Sequence, residues 1–178
     1  MLKEASSTLN LSIISLTDRR RLGQVLDFVH DARSGKILAF LIRRGGFFRE
    51  PKIISTLDVL DIIDNYLVVE SDEAIGSSSE VIRISHSLKN KIKILDNKVK
   101  TEKGEVLGKV KDFIFEVPGY NLVKLYIRRS LFSSLTSGEI TLPASKIKKI
   151  TKKAIIVSDD VIKGEKVREA EVVGAATS

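Results

Sequence analysis

The chain has 178 residues, of which 43% are hydrophobic and 30% charged, and it carries a formal net charge of +7. It has no cysteine, which excludes disulfides, thiolate metal sites and cysteine nucleophiles, and suits a reducing compartment. The first residues lack a basic region followed by an apolar stretch, and apolar runs such as 37–42 are far shorter than the ~20 residues of a membrane span. These features predict a cytoplasmic protein without a membrane span.

Hydrophobic periodicity predicts short strands along the first half of the chain. The first begins near Leu11, and the polar stretch 17–21 then turns the chain. Two strands form a hairpin around Arg33-Ser34-Gly35, where glycine permits a positive φ. The predicted strands after the first cover residues 25–30, 37–43, 53–54, 59–63 and 66–69. Asp64-Asn65 is the expected turn of a second hairpin, with Asn65 in the left-handed region that asparagine tolerates.

The second half repeats this order, because residues 22–44 and 107–129 are the same segment written twice, 85 positions apart. The matched pairs are Leu22-Gly23 with Leu107-Gly108, Asp27-Phe28 with Asp112-Phe113, and Arg43-Arg44 with Arg128-Arg129. After a longer loop at 130–139 the offset becomes 88, so that Ile62 matches Ile150. The fold is therefore expected to be a unit of about half this length, used twice.

Short strands with tight turns, repeated once, predict an all-β fold of two small tandem β-barrels from an internal duplication. We expect the first domain at 7–75, a linker at 76–92, the second domain at 93–163 and a flexible tail at 164–178. Val81, Ile82 and Ile84 within the linker could form an edge strand or a short helix. Each barrel is expected to close on its own hydrophobic interior, which also hides strand edges.

The repeated segment resembles the PRC-barrel family. The core of that family is a glycine turn, Leu-Gly-x-Val-x-Asp, a hairpin, and a short apolar segment near a proline. It is matched by residues 22–27 and 107–112, and 142–147 resembles the later strand. The first unit departs from the pattern at 55–57, where a proline is common, and it lacks the glycine that Gly104 supplies to the second. The resemblance covers roughly residues 8–75 and 93–162. It implies a small barrel used as a protein-docking surface, without catalytic residues, as in the reaction-centre H subunit and a ribosome maturation factor.

Asp27 and Asp112 each share a strand face with apolar residues, and a carboxylate in such surroundings needs a partner. With the hairpin closed, Asp27 lies opposite Phe40 or Leu41, one diagonal step from Arg43. Arg128 stands likewise to Asp112. We therefore predict internal ion pairs between Asp27 and Arg43 and between Asp112 and Arg128. A catalytic role is not indicated, since neither carboxylate has a second acid or base beside it.

Positive charge is concentrated in the second half. Residues 1–80 hold ten Lys/Arg and twelve Asp/Glu, a net charge of −2, whereas residues 81–178 hold twenty and eleven, a net charge of +9. The densest cluster comprises Lys146, Lys148, Lys149, Lys152 and Lys153. Such a surface suits an acidic protein or an RNA backbone, but it lacks the aromatic residues on which single strands stack. A solvated lysine-rich face is the simpler alternative.

Apolar residues occur in the two matching loops, with Phe47 in one and Phe132 in the other. They either plug their own barrels or form a contact surface that pairs the two units. Asp58, Asp61 and Asp64 recur every three residues but lack the central glycine and distal glutamate of a calcium loop. His30 and His86 have no zinc-ligand pattern around them. The sequence predicts no metal site, no cofactor and no catalytic residue.

The sequence thus predicts a non-catalytic adaptor that docks another macromolecule, most directly a protein, on a barrel surface. The alternative is an RNA- or ribosome-associated protein that binds through the basic second domain. The two differ in how the lysine cluster responds to salt and to RNA. The oligomeric state stays open, a homo-oligomer included.

Overall fold

The computed structural model describes residues 1–45, 52–76, 84, 92–129 and 139–161. Within them the chain is almost entirely β-structure, as predicted, arranged in two sheets. A short strand β1 (Leu2–Glu4) and a single helical turn α1 (Ala5–Thr8) come first. Each sheet then has a path of six consecutive strands, to which β1 adds a seventh in the second sheet, so the duplication in the sequence is also a duplication of the fold.

The first unit is a six-stranded sheet in the order β5-β4-β3-β2-β7-β6. Its strands are β2 (Ser12–Ser15), β3 (Arg20–His30), β4 (Ile37–Arg43), β5 (Lys52–Ser55), β6 (Val59–Ile63) and β7 (Tyr66–Val69). Neighbouring strands are antiparallel except β2 and β7, which are parallel. The hydrogen-bonded path therefore begins at β5 and ends at β6, the two strands that are consecutive in the chain.

The second unit repeats this arrangement in the order β11-β10-β9-β8-β13-β12, again with one parallel pair, β8 with β13. Its strands are β8 (Lys98–Thr101), β9 (Val106–Glu116), β10 (Leu122–Arg129), β11 (Glu139–Pro143), β12 (Ile147–Ile150) and β13 (Ile155–Val157). The registers match as well, since Ile62 faces Leu67 in one unit and Ile150 faces Ile155 in the other. Both sequence offsets, 85 and 88, are thereby confirmed.

Two local predictions need correction. The stretch 17–21 is only partly a turn, because β3 begins at Arg20, several residues before the predicted start at 25. Arg20, Arg21 and Gln24 are polar but form the ladder with β2, so the neighbouring strand rather than their own pattern sets their conformation. In the second hairpin the left-handed residue is Asp64 (φ 47°), not Asn65. The turn at Gly35 (φ 74°) is as predicted.

The Leu-Gly motif has a steric cause. A Cβ on Gly23 would lie well inside van der Waals distance of the carbonyl oxygen of Arg43, and one on Gly108 would meet that of Arg128 in the same way. These glycines let β3 approach β4, and β9 approach β10, at the start of each long hairpin. The motif is therefore explained by a close contact between two backbones rather than by a binding function.

The core differs from the prediction of two separate interiors, because most of the buried hydrophobic side chains of both units form one continuous cluster. The contact is reciprocal. The β3–β4 turn of the first unit enters the second, where Gly35 packs against Ile94, Leu122 and Ile150. The β9–β10 turn enters the first unit, where Tyr120 packs edge-on against Phe40. The amide of Ile37 also donates to the carbonyl of Tyr120, over 3.0 Å.

The segment that precedes each unit lies on the other unit. β1 pairs with the outer half of β9 through Leu2–Glu116, Lys3–Phe115 and Glu4–Ile114. Before the second unit, Ile84 is helical, is 1% exposed and packs with Val29, Leu38 and Ala39 of the first. The two units therefore exchange the segments that lead into them.

Candidate interaction surfaces

Asp27 and Asp112 perform the same local task in the two units. Each follows a β-bulge, and each uses one carboxylate oxygen to accept the amide of the next residue, Phe28 or Phe113, at 2.9 and 2.8 Å. The bulge needs this acceptor because the extra residue removes a ladder hydrogen bond. The duplicated Asp-Phe pair is thus a bulge motif.

The remaining bonds of these carboxylates cross to the segment that leads into the other unit. Asp27 forms an ion pair with Lys93, 2.6 Å between Oδ2 and Nζ. Asp112 accepts the amide of Ser6 at 3.0 Å and also its hydroxyl. These partners replace the predicted ones: Asp27 does lie opposite Leu41 as expected, but its carboxylate binds Lys93 rather than Arg43.

The second predicted pair differs in the same way. Arg128 is exposed and lies opposite Lys109 and Glu139 in the sheet, while Asp112 binds Ser6 on the other side of its strand. The sequence could not reveal these partners because the segments at Ser6 and Lys93 cross over between units. The two aspartates therefore fasten the units to each other.

An aromatic cluster fills the junction between the units. Phe28 contacts Phe113 edge-on, with ring centroids 5.3 Å apart, and Phe115 at 6.1 Å. His30 lies 5.4 Å from Phe113, and its Nδ1 is 2.9 Å from the carbonyl oxygen of Gly35. Burial lowers the pKa of His30 to about 4, so the ring is neutral at pH 7. Burial, with a smaller effect of Asp61, raises the pKa of Tyr120 to about 12.

The predicted lysine cluster lies on the β12–β13 hairpin, at one edge of the second sheet. Lys148 and Lys149 are exposed on β12, and Lys152 and Lys153 are exposed in the turn that follows. Lys146 is different, since it forms an ion pair with Asp160 that lowers the pKa of that carboxyl. The cluster is thus an edge feature rather than a continuous face. Phe47 and Phe132 lie outside the described residues.

A second basic feature was missed by the sequence analysis. Lys98 on β8, Lys109 on β9 and Arg128 on β10 lie directly opposite one another on three adjacent strands, and all three are exposed. We call these three residues the basic row. The acidic residue beside it, Glu139, is held by Lys111 at 2.7 Å and raises the pKa of that lysine.

The first unit has no such row. The same register places Ser12, Gln24 and Arg43 side by side, with a single positive charge among them. One position of this difference is visible in the sequence, because the offset of 85 aligns Lys109 with Gln24. The whole row needs the strand pairing, because the same offset aligns Lys98 with Ile13 rather than Ser12, and the three cations lie 11 and 19 residues apart.

Two cations of the first unit share one carboxylate. Arg20 and Arg44 both bind Asp72, at 2.8 and 3.0 Å. An open pocket of about 300 Å³ beside them is lined by Arg21, Gln24, Arg43 and the backbone of Gly45. Within the part of the chain that the structure describes, no group of three or more His, Cys, Asp or Glu side chains could hold a metal ion, and no helix is long and apolar enough to cross a membrane.

The family model for the PRC-barrel domain matches this chain twice, over residues 2–75 and 93–166. The protein belongs to the PRC-barrel domain family and carries two copies of the domain in tandem. Domains of this family mediate protein interactions and are generally non-catalytic. A search of curated proteins finds no significant match.

Proposed function

We propose that the protein is a non-catalytic adaptor that docks a partner protein with an acidic surface on its second unit, at the basic row. The observation that carries this proposal is the register of Lys98, Lys109 and Arg128 on three neighbouring strands. A folded acidic patch can meet all three cations at once, because opposite residues in an antiparallel pair hold their Cβ atoms about 5 Å apart.

The stability cost of the row supports a binding role. Like charges directly opposite each other in a sheet destabilise it by a few tenths of a kcal/mol or more. The first unit avoids this cost at the same positions, with Ser12 and Gln24 in place of Lys98 and Lys109. An arrangement that costs stability in one copy and is absent from the other is typical of a surface kept for a partner.

Protein is favoured over RNA as the partner by the surroundings of the row. Among the described residues, Tyr66 of the first unit is the exposed aromatic side chain, at 45%. On β10, Tyr126 lies two residues from Arg128 but is only partly exposed, and the Nζ of Lys124 lies over its ring, 5.1 Å from the centroid. A freely exposed platform for stacked bases is therefore missing beside the row within those residues. The interaction role of the family points the same way.

The proposal is tested by affinity capture with the wild-type chain and with Lys98→Glu/Lys109→Glu. The control is Arg19→Glu/Lys52→Glu, which reverses two exposed cations of the first unit and changes the net charge equally. We expect the row variant to lose its bound protein and the control to keep it. Direct binding of the recovered protein should weaken between about 50 and about 500 mM salt, since the Debye length falls over this range.

The same variants separate the RNA alternative. Purified wild-type protein is titrated with single-stranded RNA and with ribosomes over the same salt range. If RNA binds tightly and the row variant abolishes that binding, the acidic-protein proposal is wrong and the RNA function holds. If neither protein nor RNA binding depends on the row, the row has no docking role.

A further inference from the structure

The two units end in equivalent edge strands, β6 in the first sheet and β12 in the second. Each is paired on one side only, with β7 or β13, among the described ladders. Both carry a β-bulge at the same place, at Leu60 in one and Lys148 in the other. Unpaired edges are sites where another chain can add, so natural proteins cover or charge them.

The charge on these edges is inverted between the copies. With the offset of 88, Asp58 corresponds to Lys146, Asp61 to Lys149 and Asp64 to Lys152. Three acidic positions on one hairpin are thus three lysines on the other. The structure confirms the correspondence for the strand positions, since Asp61 faces Val68 and Lys149 faces Ile156 in matching registers.

The apolar surface of the two edges is also inverted. Four of the large hydrophobic side chains that are exposed belong to the β6–β7 hairpin, namely Leu57 (71% exposed), Leu60 (52%), Ile63 (48%) and Tyr66 (45%). Their counterparts in the second unit are Ser145, Lys148, Thr151 and Ala154. The first edge is therefore acidic and apolar, and the second is basic and polar.

We propose that the β6 edge of one copy of this protein binds the β12 edge of a second copy, head to tail. The acidic edge comprises Leu60, Asp61, Ile63, Asp64 and Tyr66, and the basic edge comprises Lys148, Lys149 and Lys153. Lysine side chains suit this contact because their aliphatic stems cover apolar surface such as Leu60 and Ile63 while their ammonium groups reach carboxylates. A second copy is the occupant that supplies this complementary edge in every molecule.

The two edges of one chain belong to different units, and none of the ion pairs among the described residues joins the acidic edge to the basic edge. We therefore assign the contact to two molecules. A contact between two unlike surfaces leaves one free edge of each kind at the ends of the pair. It therefore continues into an open chain, or closes into a ring if the rotation permits.

The test exchanges the edges, using each unit as the template for the other. One variant, Leu60→Lys/Asp61→Lys, gives β6 the residues found in β12. The other variant, Lys148→Leu/Lys149→Asp, gives β12 the residues found in β6. Both substitutions place side chains that the other unit already accepts at the same bulge. The full chain is studied by sedimentation velocity up to about 1 mM protein, a concentration at which even a weak interface is partly occupied.

We expect the mass of the wild-type particles to rise with concentration at about 50 mM salt and to fall towards one chain at about 500 mM. Each edge variant alone should remain a single chain, because neither variant keeps one acidic and one basic edge. An equimolar mixture of the two variants should associate again, because the acidic β6 edge of one variant then finds the basic β12 edge of the other.

Three results would overturn the proposal. They are a wild-type chain that stays single over the whole concentration range, edge variants that associate as the wild type does, and a mixture that fails to recover association. The basic-row variant Lys98→Glu/Lys109→Glu should keep its self-association. This inference and the proposed docking function can therefore fail independently.

Discussion

Single residues explain the repeated motifs, through steric requirements at the glycines and hydrogen bonds at the aspartates. Gly23 and Gly108 stand where two backbones touch, and Asp27 and Asp112 complete β-bulges. All four residues stand out from the duplication alone. The predicted partners of the aspartates were wrong, because a register predicts neighbours within a hairpin and not residues that arrive from elsewhere in the chain.

Gly23→Ala tests the close approach of β3 and β4. The added Cβ meets the carbonyl of Arg43, which belongs to the ladder and cannot rotate away. We expect a loss of about 2–3 kcal/mol of unfolding free energy, at the upper end of overpacking effects, measured by urea denaturation. Gly119→Ala is the control, because its Cβ would meet the ends of two side chains, Glu116 and Asn121, rather than backbone. Equal losses in the two variants would refute the steric account.

Asp112→Ala tests the fastening of the leading segment. It removes the acceptor of the Ser6 amide and hydroxyl and of the Phe113 amide. We expect a loss of about 1–3 kcal/mol, the usual cost of leaving amides without a partner. Hydrogen exchange should become faster over residues 2–8 before it changes in β12 or β13. Unchanged protection at Ser6 would show that β1 holds the segment without Asp112.

The lowered pKa of His30 predicts that the protein loses stability in mild acid. Its pKa is about 4 in the folded protein and 6.5 when unfolded, so the unfolded chain binds the proton first as the pH falls. The unfolding free energy should fall between pH 6.5 and 4, by at most about 3 kcal/mol from this group. His30→Phe, which copies Phe115 of the second unit, should remove that part of the slope in urea denaturation at several pH values. A slope identical to the wild type would exclude His30 as its source.

At the level of elements, the order of the strands was predictable from the sequence. Their pairing was predictable within hairpins and not between distant segments. The hairpins β3–β4 and β9–β10 follow from alternation and glycine turns. The strand β1 was not predicted, because three exposed or half-exposed residues at the chain start carry no periodic signal. β1 is a strand because the outer half of β9 offers it a partner.

The basic row predicts that its central lysine destabilises the second sheet. Lys109 lies opposite both Lys98 and Arg128, whereas Gln24 occupies its place in the first unit. We expect Lys109→Gln to raise the unfolding free energy by about 0.5 kcal/mol at low salt, because it relieves two cross-strand repulsions. The gain should shrink at high salt, where surface charges are screened. A destabilising effect at low salt would contradict the repulsion.

For the whole molecule, the joined core is the main departure from the sequence-based expectation. The strands did carry a signal for the joined core. Residues 37–40 on β4 and 113–115 on β9 are buried in unbroken runs, whereas a strand with one wet face alternates. Continuous apolar runs indicate burial on both faces. One face belongs to the joined core, and the other is covered by a lead-in segment, with Ile84 on β4 and β1 beside β9. Which unit covers which run depends on the crossing turns, and these carry no pattern of their own.

The joined core predicts that the two units unfold together. Because Phe28, Phe113 and Tyr120 belong to one cluster, opening either unit exposes the aromatic junction of both. We expect a single urea transition, with amides of Val25 and Val110 exchanging at the same global free energy. Separate transitions, or a fully protected half when residues 92–178 are produced alone, would show that each unit is stable by itself.

The crossing of the lead-in segments has a consequence for the history of the protein. An arm that lies on a neighbour is the usual geometry of an exchanged dimer, and a tandem gene turns such a pair into one polypeptide. In a dimer of identical chains every substitution appears on both sides of the twofold axis. Once the partners are linked, each can change alone, and only then can one hairpin acquire aspartates while its twin acquires lysines. The tandem arrangement is what allows the two ends of this molecule to differ, with aspartates on one hairpin and lysines on the other.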